Sequence, residues 1–168
     1  HLIHRLDRPA TGVVLFAKNK KALAHLNAQF SAREVRKIYL AVVPRRPLEG
    51  EGHLIHYLKK DARLNRSRAH DTPVPGGKES RLDYQVIGQI DHYQLLRIEL
   101  QTGRHHQIRA QLAAIGFPVK GDVKYGARRG NPDRSIHLHA RQLSFDHPVS
   151  GERLHIEAPL PDDPVWRA

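Results

Sequence analysis

The chain of 168 residues contains no cysteine and no methionine. The lack of cysteine excludes disulfide bonds, thiolate catalysis and zinc sites ligated by cysteine. It is compatible with a reducing compartment, and we expect a cytoplasmic protein. No apolar run approaches the roughly 20 residues that a helix needs to cross a bilayer, so no membrane partner is expected. Because the sequence starts at His1, directly in a motif, we expect a piece of a longer or processed protein.

Acidic residues are scarce relative to basic ones. Asp and Glu number 17 against 28 Lys and Arg, which gives a formal net charge of +11 and an isoelectric point near 10.3. Such an excess favours a polyanionic partner, because cations that neutralise phosphates release counterions. The isoelectric point is typical of nucleic-acid-binding domains. A merely soluble basic protein is the alternative that charge alone leaves open.

Other kinds of site have little support. The 13 histidines include the adjacent pair His105 and His106 and the pair His137 and His139 on one strand face. Neither pair has the third ligand that a recognisable zinc site requires, so hydrogen-bonded histidines are expected and no metal. No Gly-x-Ser-x-Gly elbow and no Walker-type Gly-x-x-x-x-Gly-Lys occurs, which disfavours a serine hydrolase and an ATPase.

Hydrophobic periodicity predicts one α+β domain over residues 1–168. One helix is expected to begin after Asn19 as N-cap and to end near 31–34, and a second to open at Gly103 and stop at Gly116. The predicted strands are 13–18, 36–43, 53–58, 82–87, 93–100, 136–145 and 153–158, with loops at 44–52, 72–77 and 117–135 and a tail at 159–168. Hairpins without regular β-α-β alternation predict a mixed, mostly antiparallel central sheet with flanking helices.

The first stretch with chemical potential is 4–12, His-Arg-Leu-Asp-Arg-Pro-Ala-Thr-Gly. Pro9 and Gly12 punctuate the backbone, so Asp7 is predicted to lie in a shaped loop. Arg5 and Arg8 flank this carboxylate, and nearby cations favour its ionised form. Asp7 is therefore interpreted either as a nucleophile or as an ion pair that fixes the loop.

The second stretch is 100–112, where a strand, a glycine turn and a helix start follow one another. Arg104, His106 and Gln107, with the free amides of the first turn, predict an anion-binding site. Arg104 and Arg109 are five residues apart and cannot share one helix face. An inward arginine needs a carboxylate, and Asp7 is the partner that we predict for Arg109.

A third feature is a basic ribbon that we predict to lie on a strand or hairpin. We expect it to contact phosphates, together with Arg128 and Arg129, although a solvated charged face is the alternative. The ribbon consists of Lys59, Lys60, Arg63, Arg66 and Arg68.

Three separated motifs then occur in one order. They are His-Arg-Leu-Asp at 4–7 with Thr-Gly at 11–12, Arg-Lys-x-Tyr-Leu-Ala at 36–41, and Thr-Gly-Arg-x-His-Gln-Ile-Arg at 102–109. The stretches 138–148 and 158–161 are similar to the closing strands of the same family. Over nearly its whole length the chain resembles an RluA-type RNA pseudouridine synthase. That family normally has strands before the His-Arg-Leu-Asp loop, so N-terminal strands are expected to be missing here.

The resemblance implies isomerisation of uridine in RNA to pseudouridine, with no metal and no organic cofactor. Asp7 would be the nucleophile, attacking either the base or the sugar, and Arg109 would pair with it. Tyr39 would stack on the target uracil and is a candidate for moving the C5 proton. Ile108 would form an apolar wall of the base pocket, and Arg5 would fill the gap left by the extruded nucleotide.

The expected partner is RNA, with ribosomal large-subunit RNA as first choice and transfer RNA as second, and the expected state is a monomer. One alternative is a non-catalytic RNA-binding module that keeps the fold. Another is a basic structural protein of the ribosome, which explains the charge but not the set of Asp7, Tyr39 and Arg109. The catalytic interpretation predicts Asp7 within salt-bridge distance of Arg109 and Tyr39 facing the same cleft.

Overall fold

A single mixed sheet forms the centre of the molecule, for which a computed structural model describes residues 1–167. The strands are β1 Thr11–Gly12, β2 Arg36–Pro44, β3 Glu51–Asp61, β4 Arg66–His70, β5 Lys78–Ile90, β6 Tyr93–Leu100, β7 Leu138–Asp146 and β8 Arg153–Glu157. Their order across the sheet is β1-β7-β2-β6-β5-β3-β4, and β8 also pairs with β7. Only β1 and β7 run parallel among these described pairs. The predicted fold class, α+β with a mostly antiparallel sheet, is confirmed.

The first helix follows its sequence signals. Helix α1 spans Lys20–Ser31, and the Asn19 side chain accepts a hydrogen bond of 2.8 Å from the Ala22 amide, as predicted for an N-cap. This side-chain oxygen satisfies one of the amides that the first turn leaves without an intrahelical partner. No helix within residues 1–167 is long and apolar enough to cross a membrane.

The second helix begins later than predicted. Helix α2 spans Gln107–Ala114 rather than opening at Gly103. The reason is a turn in which the Arg104 amide donates to Oε1 of Gln107 at 2.9 Å while His106 adopts a left-handed conformation with φ of 53°. The predicted stop is confirmed, because Gly116 follows the helix with φ of +86°, a value that glycine adopts without strain.

The main hydrophobic core lies between the sheet and α2. Ile108 and Leu112 of α2 pack against Ala41 and Val43 of β2 and against Leu82, Leu96 and Ile98 of β5 and β6. Apolar residues alternate along these strands, so one face of the sheet is continuous with the apolar side of the helix. Tyr39 of β2 packs against this core, and Arg109 lies on α2 directly after Ile108.

The tail predicted at 159–168 is wrong where the structure describes it. Residues Pro164–Arg167 form helix α3, and Trp166 is only 7% exposed. Its indole packs on Leu40 and Val42, which lie on the opposite face of β2 from α2. A lone tryptophan has no periodicity, so the sequence pattern carried no signal for this contact.

The strand predicted at 13–18 is also wrong. Ladder pairing stops after Gly12, and beyond it the only bridge described joins Phe16 to Leu2. Burial still alternates along this run, because Val13 and Leu15 pack against the α1 cluster. The Leu15 amide donates to Nε2 of His4 at 2.9 Å, so a side chain takes the place of a neighbouring strand.

We predict that Gly12→Ala destabilises the fold by about 3 kcal/mol, because both backbone strain and overlap oppose it. Gly12 has φ of +124°, and an added Cβ would lie 2.5 Å from the backbone nitrogen and 2.6 Å from Cβ of Ala140. Urea unfolding measures the change. Gly50→Ala is the control, since no atom lies within 4 Å of its added Cβ, and equal stability of the two variants would contradict the prediction.

Candidate active site

The loop that carries Asp7 is fastened on its C-terminal side to β7 and to the segment that leads into β7. The Ala10 amide closes a turn on the Asp7 carbonyl at 2.9 Å, and the Ile136 amide donates to the Pro9 carbonyl at 3.0 Å. Thr11 then pairs with His139 of β7 through backbone register and through a side-chain hydrogen bond of 2.8 Å. The prediction that Asp7 lies in a shaped loop is confirmed, and the loop is ordered by contacts distant in sequence.

One buried cation is shared between two carboxylates. The Arg109 guanidinium donates to both oxygens of Asp122, from Nε at 2.7 Å and from Nη2 at 2.9 Å. Its Nη1 lies 3.8 Å from Oδ2 of Asp7, an ion-pair distance longer than a hydrogen bond. Arg109 and Asp122 are almost fully buried, whereas the Asp7 side chain is 26% exposed. The predicted salt-bridge proximity of Asp7 and Arg109 is confirmed, but Asp122 is the principal partner of the arginine.

The direction of the Asp7 pKa shift differs from the prediction. Burial raises the pKa of the Asp7 carboxyl above its usual value, and the negative charge of Asp122 raises it further, while Arg109 acts in the opposite direction. Arg5 and Arg8, expected to hold Asp7 ionised, are both exposed and do not contribute to this shift. Solvent screens exposed charges strongly, so the buried Arg109 is the cation that opposes protonation of Asp7.

Tyr39 lies close enough to Asp7 to be influenced by its charge, and its place in the same cleft stays a prediction. Register aligns Gly12 with Ala140 and Ala140 with Tyr39, so the tyrosine is two strands away from the end of the Asp7 loop. Burial and then the charge of Asp7 raise the pKa of Tyr39 to about 12. The phenol therefore stays protonated at neutral pH and presents an uncharged ring.

An aromatic layer covers the shared arginine. The Arg109 guanidinium lies 4.9 Å from the centre of the Tyr125 ring, and that of Arg66 lies 5.0 Å from it. The Tyr125 hydroxyl accepts from the Ser67 amide and forms a hydrogen bond with Nδ1 of His106, each at 2.8 Å. Burial, followed by the charge of Arg109, lowers the pKa of His106 to about 3, so the His106 ring is neutral. Tyr125 thereby joins the β3–β4 hairpin to the ion network.

A buried arginine between two carboxylates, beside a neutral aromatic ring, fits a site that uses a carboxylate on a planar substrate. A family model described as RNA pseudouridylate synthase matches residues 1–114. The chain belongs to this family. The RluA-type relationship indicated by the sequence motifs is thereby confirmed.

Relatives of this chain support the same family. It is 39% identical over 163 residues to an uncharacterized RNA pseudouridine synthase of Chloroflexus aurantiacus, covering 96% of this chain and 50% of that protein. It is 39% identical over 175 residues to ribosomal large subunit pseudouridine synthase D of Nitrosomonas europaea, covering 96% and 48%. The chain thus spans about half the length of the curated relatives that it matches.

Solved structures share the fold. The human RNA pseudouridylate synthase domain containing 1 superposes with a TM-score of 0.83 at 28% identity, covering 98% of this chain and 71% of that one. Human RNA pseudouridylate synthase domain containing 4 gives a TM-score of 0.80 at 24% identity, with 99% and 73% coverage, which supports the fold alone.

Three predicted RNA-binding residues make internal hydrogen bonds. Arg104 donates from Nε and Nη2 to the Glu79 carbonyl at 3.1 and 3.0 Å. Gln107 accepts from the Thr102 hydroxyl at 2.8 Å and is only 3% exposed, and His106 is held by Tyr125. These bonds shape the turn before α2, and contact of the three side chains with RNA stays a prediction.

Ile108 and Arg5 occupy contrasting environments. Ile108 is 4% exposed and belongs to the main core, whereas Arg5 is exposed on the loop next to Asp7. An exposed arginine at that position is compatible with entry into a gap in the RNA stack, and the roles of both residues stay predictions. Arg128 and Arg129 are exposed on the loop after the 3-10 turn.

The basic ribbon is divided between two faces of the β3–β4 hairpin. Lys60 is opposite the buried Ser67, whose hydroxyl bonds Nδ1 of His105 at 2.8 Å, and the charge of Lys60 contributes to the lowered pKa of that histidine after burial. Lys59 is opposite Arg68 on the other face, because side chains alternate along a strand. Lys60 therefore lies on the side of the candidate site. Arg66 shares the face of Lys59 and Arg68, but its guanidinium reaches the Tyr125 ring, 5.0 Å from the ring centre.

Sequence reasoning missed Asp122. It lies in 117–135, interpreted as an extended loop, where it immediately precedes the 3-10 turn Val123–Tyr125. Glycines bracket this turn, since Gly121 and Gly126 have φ of +88° and +108°. The signal available was Gly-Asp-x-x-Tyr-Gly at 121–126, an acid and an aromatic residue in a tight glycine-bounded turn. A search for every carboxylate able to reach an inward arginine would have included it.

The histidine pairs make hydrogen bonds within the fold. His137 bonds Asn131 at 3.0 Å and Asp163 at 3.1 Å, and His139 bonds Thr11. Over residues 1–167 no group of three His, Asp or Glu side chains is arranged to hold a metal ion.

We predict opposite stability effects for the two carboxylates. Asp122→Asn leaves Arg109 buried without its principal partner and should lower the free energy of unfolding by about 3 kcal/mol. Asp7 has a raised pKa in the folded state, so its ionisation costs stability as pH rises from the unfolded to the folded pKa. Asp7→Asn should therefore remove that loss and leave the protein at least as stable as the parent at pH 7.

Urea unfolding at several pH values between 4 and 8, on the order of the range in which carboxyl groups with raised pKa titrate, provides the measurement. Similar losses in both variants would show that Arg109 depends equally on Asp7, contrary to the observed geometry.

Proposed function

We propose that this chain is the catalytic part of an RNA pseudouridine synthase and that Asp7 is its nucleophile. The observation that supports this role is the position of the Asp7 carboxylate, partly exposed beside Tyr39 and 3.8 Å from the buried Arg109. Arg109 is oriented by Asp122 and does not depend on Asp7 for its pairing. A carboxylate that is not needed for that pairing is able to leave the arginine and attack a substrate.

The proposed reaction is an isomerisation whose atoms balance. The bond from uracil N1 to ribose C1′ breaks, and a bond from C5 to C1′ forms. C5 loses its proton and N1 gains one, so no oxidant or reductant is needed. Asp7 assists by forming a transient covalent bond to the base or the sugar, and the cationic Arg109 lowers the fraction of Asp7 that is protonated and unreactive.

Tyr39 is proposed as the platform for the target uracil. An enzyme that acts on a base within RNA extrudes it from the stack at a cost of a few kcal/mol. Stacking of a base on an aromatic side chain contributes about 1–3 kcal/mol of favourable free energy, which offsets part of that cost. Because its pKa is about 12, Tyr39 is better suited to stacking than to accepting the C5 proton.

Ribosomal large-subunit RNA is the substrate class that we propose first, and transfer RNA second. The support is the similarity to proteins named ribosomal large subunit pseudouridine synthase D, at 33% to 39% identity. The net charge of +11 supports binding to either RNA.

The reaction predicts release of tritium from C5-tritiated uridine in total RNA from a strain without endogenous synthases. The parent chain should release tritium. Asp7→Asn should release none, because the asparagine amide cannot act as the nucleophile on the base or the sugar. Asp91→Asn is the matched control, since Asp91 is exposed in a left-handed turn with φ of 43° that asparagine also accepts.

Each outcome of this assay has a distinct meaning. Release by Asp7→Asn equal to the parent would exclude Asp7 as the nucleophile. No release from any variant, with RNA binding intact, would favour a non-catalytic RNA-binding module.

The charged groups of Lys60 and Arg66 lie near His105 and Tyr125 of the candidate site, which predicts unequal contributions of the basic ribbon to RNA binding. The double variant Lys60→Ala with Arg66→Ala should bind RNA about tenfold more weakly and reduce the dependence of log affinity on log salt by about 1.4, as expected for two lost single-strand phosphate contacts. Lys59→Ala with Arg68→Ala removes the same charge from a cross-strand pair on the opposite face of the hairpin from Lys60, and should change neither quantity appreciably. Filter binding at several salt concentrations measures both, and equal effects would indicate non-specific attraction.

A further inference from the structure

A groove beside the candidate active site concentrates positive charge. Its volume is about 820 Å³, and five basic and two acidic side chains line it. Arg36 pairs with Glu99 at 2.8 Å, and Arg153 donates to Asp146 at 3.3 Å. The remaining cations are Arg33, Lys37 and Arg104, so the groove keeps a positive surplus.

Lys37 is the cation of this groove that lies nearest to the candidate catalytic residues. It is two residues before Tyr39 on β2, and residues i and i+2 of a strand share a face about 7 Å apart. Its charge also contributes, after burial, to the lowered pKa of His4 in the loop that carries Asp7. Lys37 therefore lies between the Asp7 loop and the turn before α2.

The Lys37 ammonium has no anionic partner within residues 1–167. No salt bridge or hydrogen bond of its Nζ to those residues is found, and burial followed by the charge of Arg33 lowers its pKa. A partly desolvated cation among other cations carries an electrostatic cost that an anion would relieve.

Gly103 adds a second, independent observation. An added Cβ at Gly103 would lie 2.8 Å from Nζ of Lys37. The φ of Gly103 is not in the left-handed region, so its backbone conformation does not demand glycine. The absence of a side chain at this position is instead what allows the ammonium to lie against the turn.

We propose that Lys37 and the Gly103 turn bind a single RNA phosphate directly adjacent to the target uridine. The identity of the polyanion as RNA rests on the function proposed for the chain. The short separation of Lys37 from Tyr39 fits a nucleotide whose base stacks on the tyrosine while its own phosphodiester meets the ammonium. Arg33 and Arg104 flank this position, and Arg104 is already oriented by the Glu79 carbonyl. The site would therefore fix the register of the strand relative to Asp7.

The test measures binding without turnover, so its result does not depend on catalysis. The Asp7→Asn chain is titrated with a nonaribonucleotide that has one central uridine and four adenosines on each side. Two further probes replace the phosphate on the 5′ or the 3′ side of the uridine with a neutral methylphosphonate. We expect one replacement, and not the other, to weaken binding about tenfold.

Adding Lys37→Met should weaken binding of the unmodified probe to a similar degree and abolish the difference between the probes. It should also reduce the salt dependence of log affinity by about 0.7, the value for one single-strand phosphate contact. Gly103→Ala should weaken binding less, since the flexible ammonium can shift, and should have no effect when Lys37→Met is already present.

Lys20→Met is the control for loss of one positive charge. Lys20 is exposed at the start of α1, about 16 Å along the helix axis from Ser31 at the groove. The proposal is overturned if Lys20→Met matches Lys37→Met, or if Lys37→Met still distinguishes the two methylphosphonate probes. If Lys37→Met does not fold, Gly103→Ala tests the proposal alone. Binding of the unmodified probe by Gly103→Ala that equals binding by the Asp7→Asn chain would then overturn the proposal. Loss of tritium release with these binding differences intact would refute only the proposed catalysis.

Discussion

The whole site depends on one arginine shared by two aspartates in a poorly solvated setting. Arg109 cannot neutralise both carboxylates equally, and its bidentate bonds favour Asp122. Oδ2 of Asp7 consequently lies 3.8 Å from Nη1 of Arg109. At this distance the positive charge acts on the carboxylate, but no hydrogen bond holds the two groups together. A buried charge pair of this kind is costly to break from one side, which makes the position of Arg109 independent of what happens at Asp7.

Two parts of the surrounding fold support this arrangement, namely the central sheet and the contacts of Tyr125. The register from Gly12 through Ala140 to Tyr39 links the Asp7 loop to the strand of Tyr39. Tyr125 covers the arginine on another side and is itself fixed by Ser67 and His106. The two aspartates and the arginine are thus supported both by the sheet and by the β3–β4 hairpin.

Sequence patterns predicted the elements whose signals are local. The strand at 93–100 and the cap at Asn19 follow directly from alternation and from side-chain chemistry. The set of Asp7, Tyr39 and Arg109 was predictable because motif order carried it. Asp122 was not, since its pairing depends on a turn that looks like any glycine-containing loop. The raised pKa of Asp7 was missed because flanking arginines are close in sequence yet exposed, while burial is a property of the complete fold.

The parallel pairing of β1 with β7 has a consequence for how the protein acquires its chemistry. Thr11 meets a partner 128 positions further along the chain, His139. Contacts between residues so far apart in sequence form late in folding, because closing the long intervening loop costs conformational entropy. During synthesis the Asp7 loop therefore emerges long before β7, the strand on which it docks. The Asp7 loop reaches its final position only when that late pairing has formed.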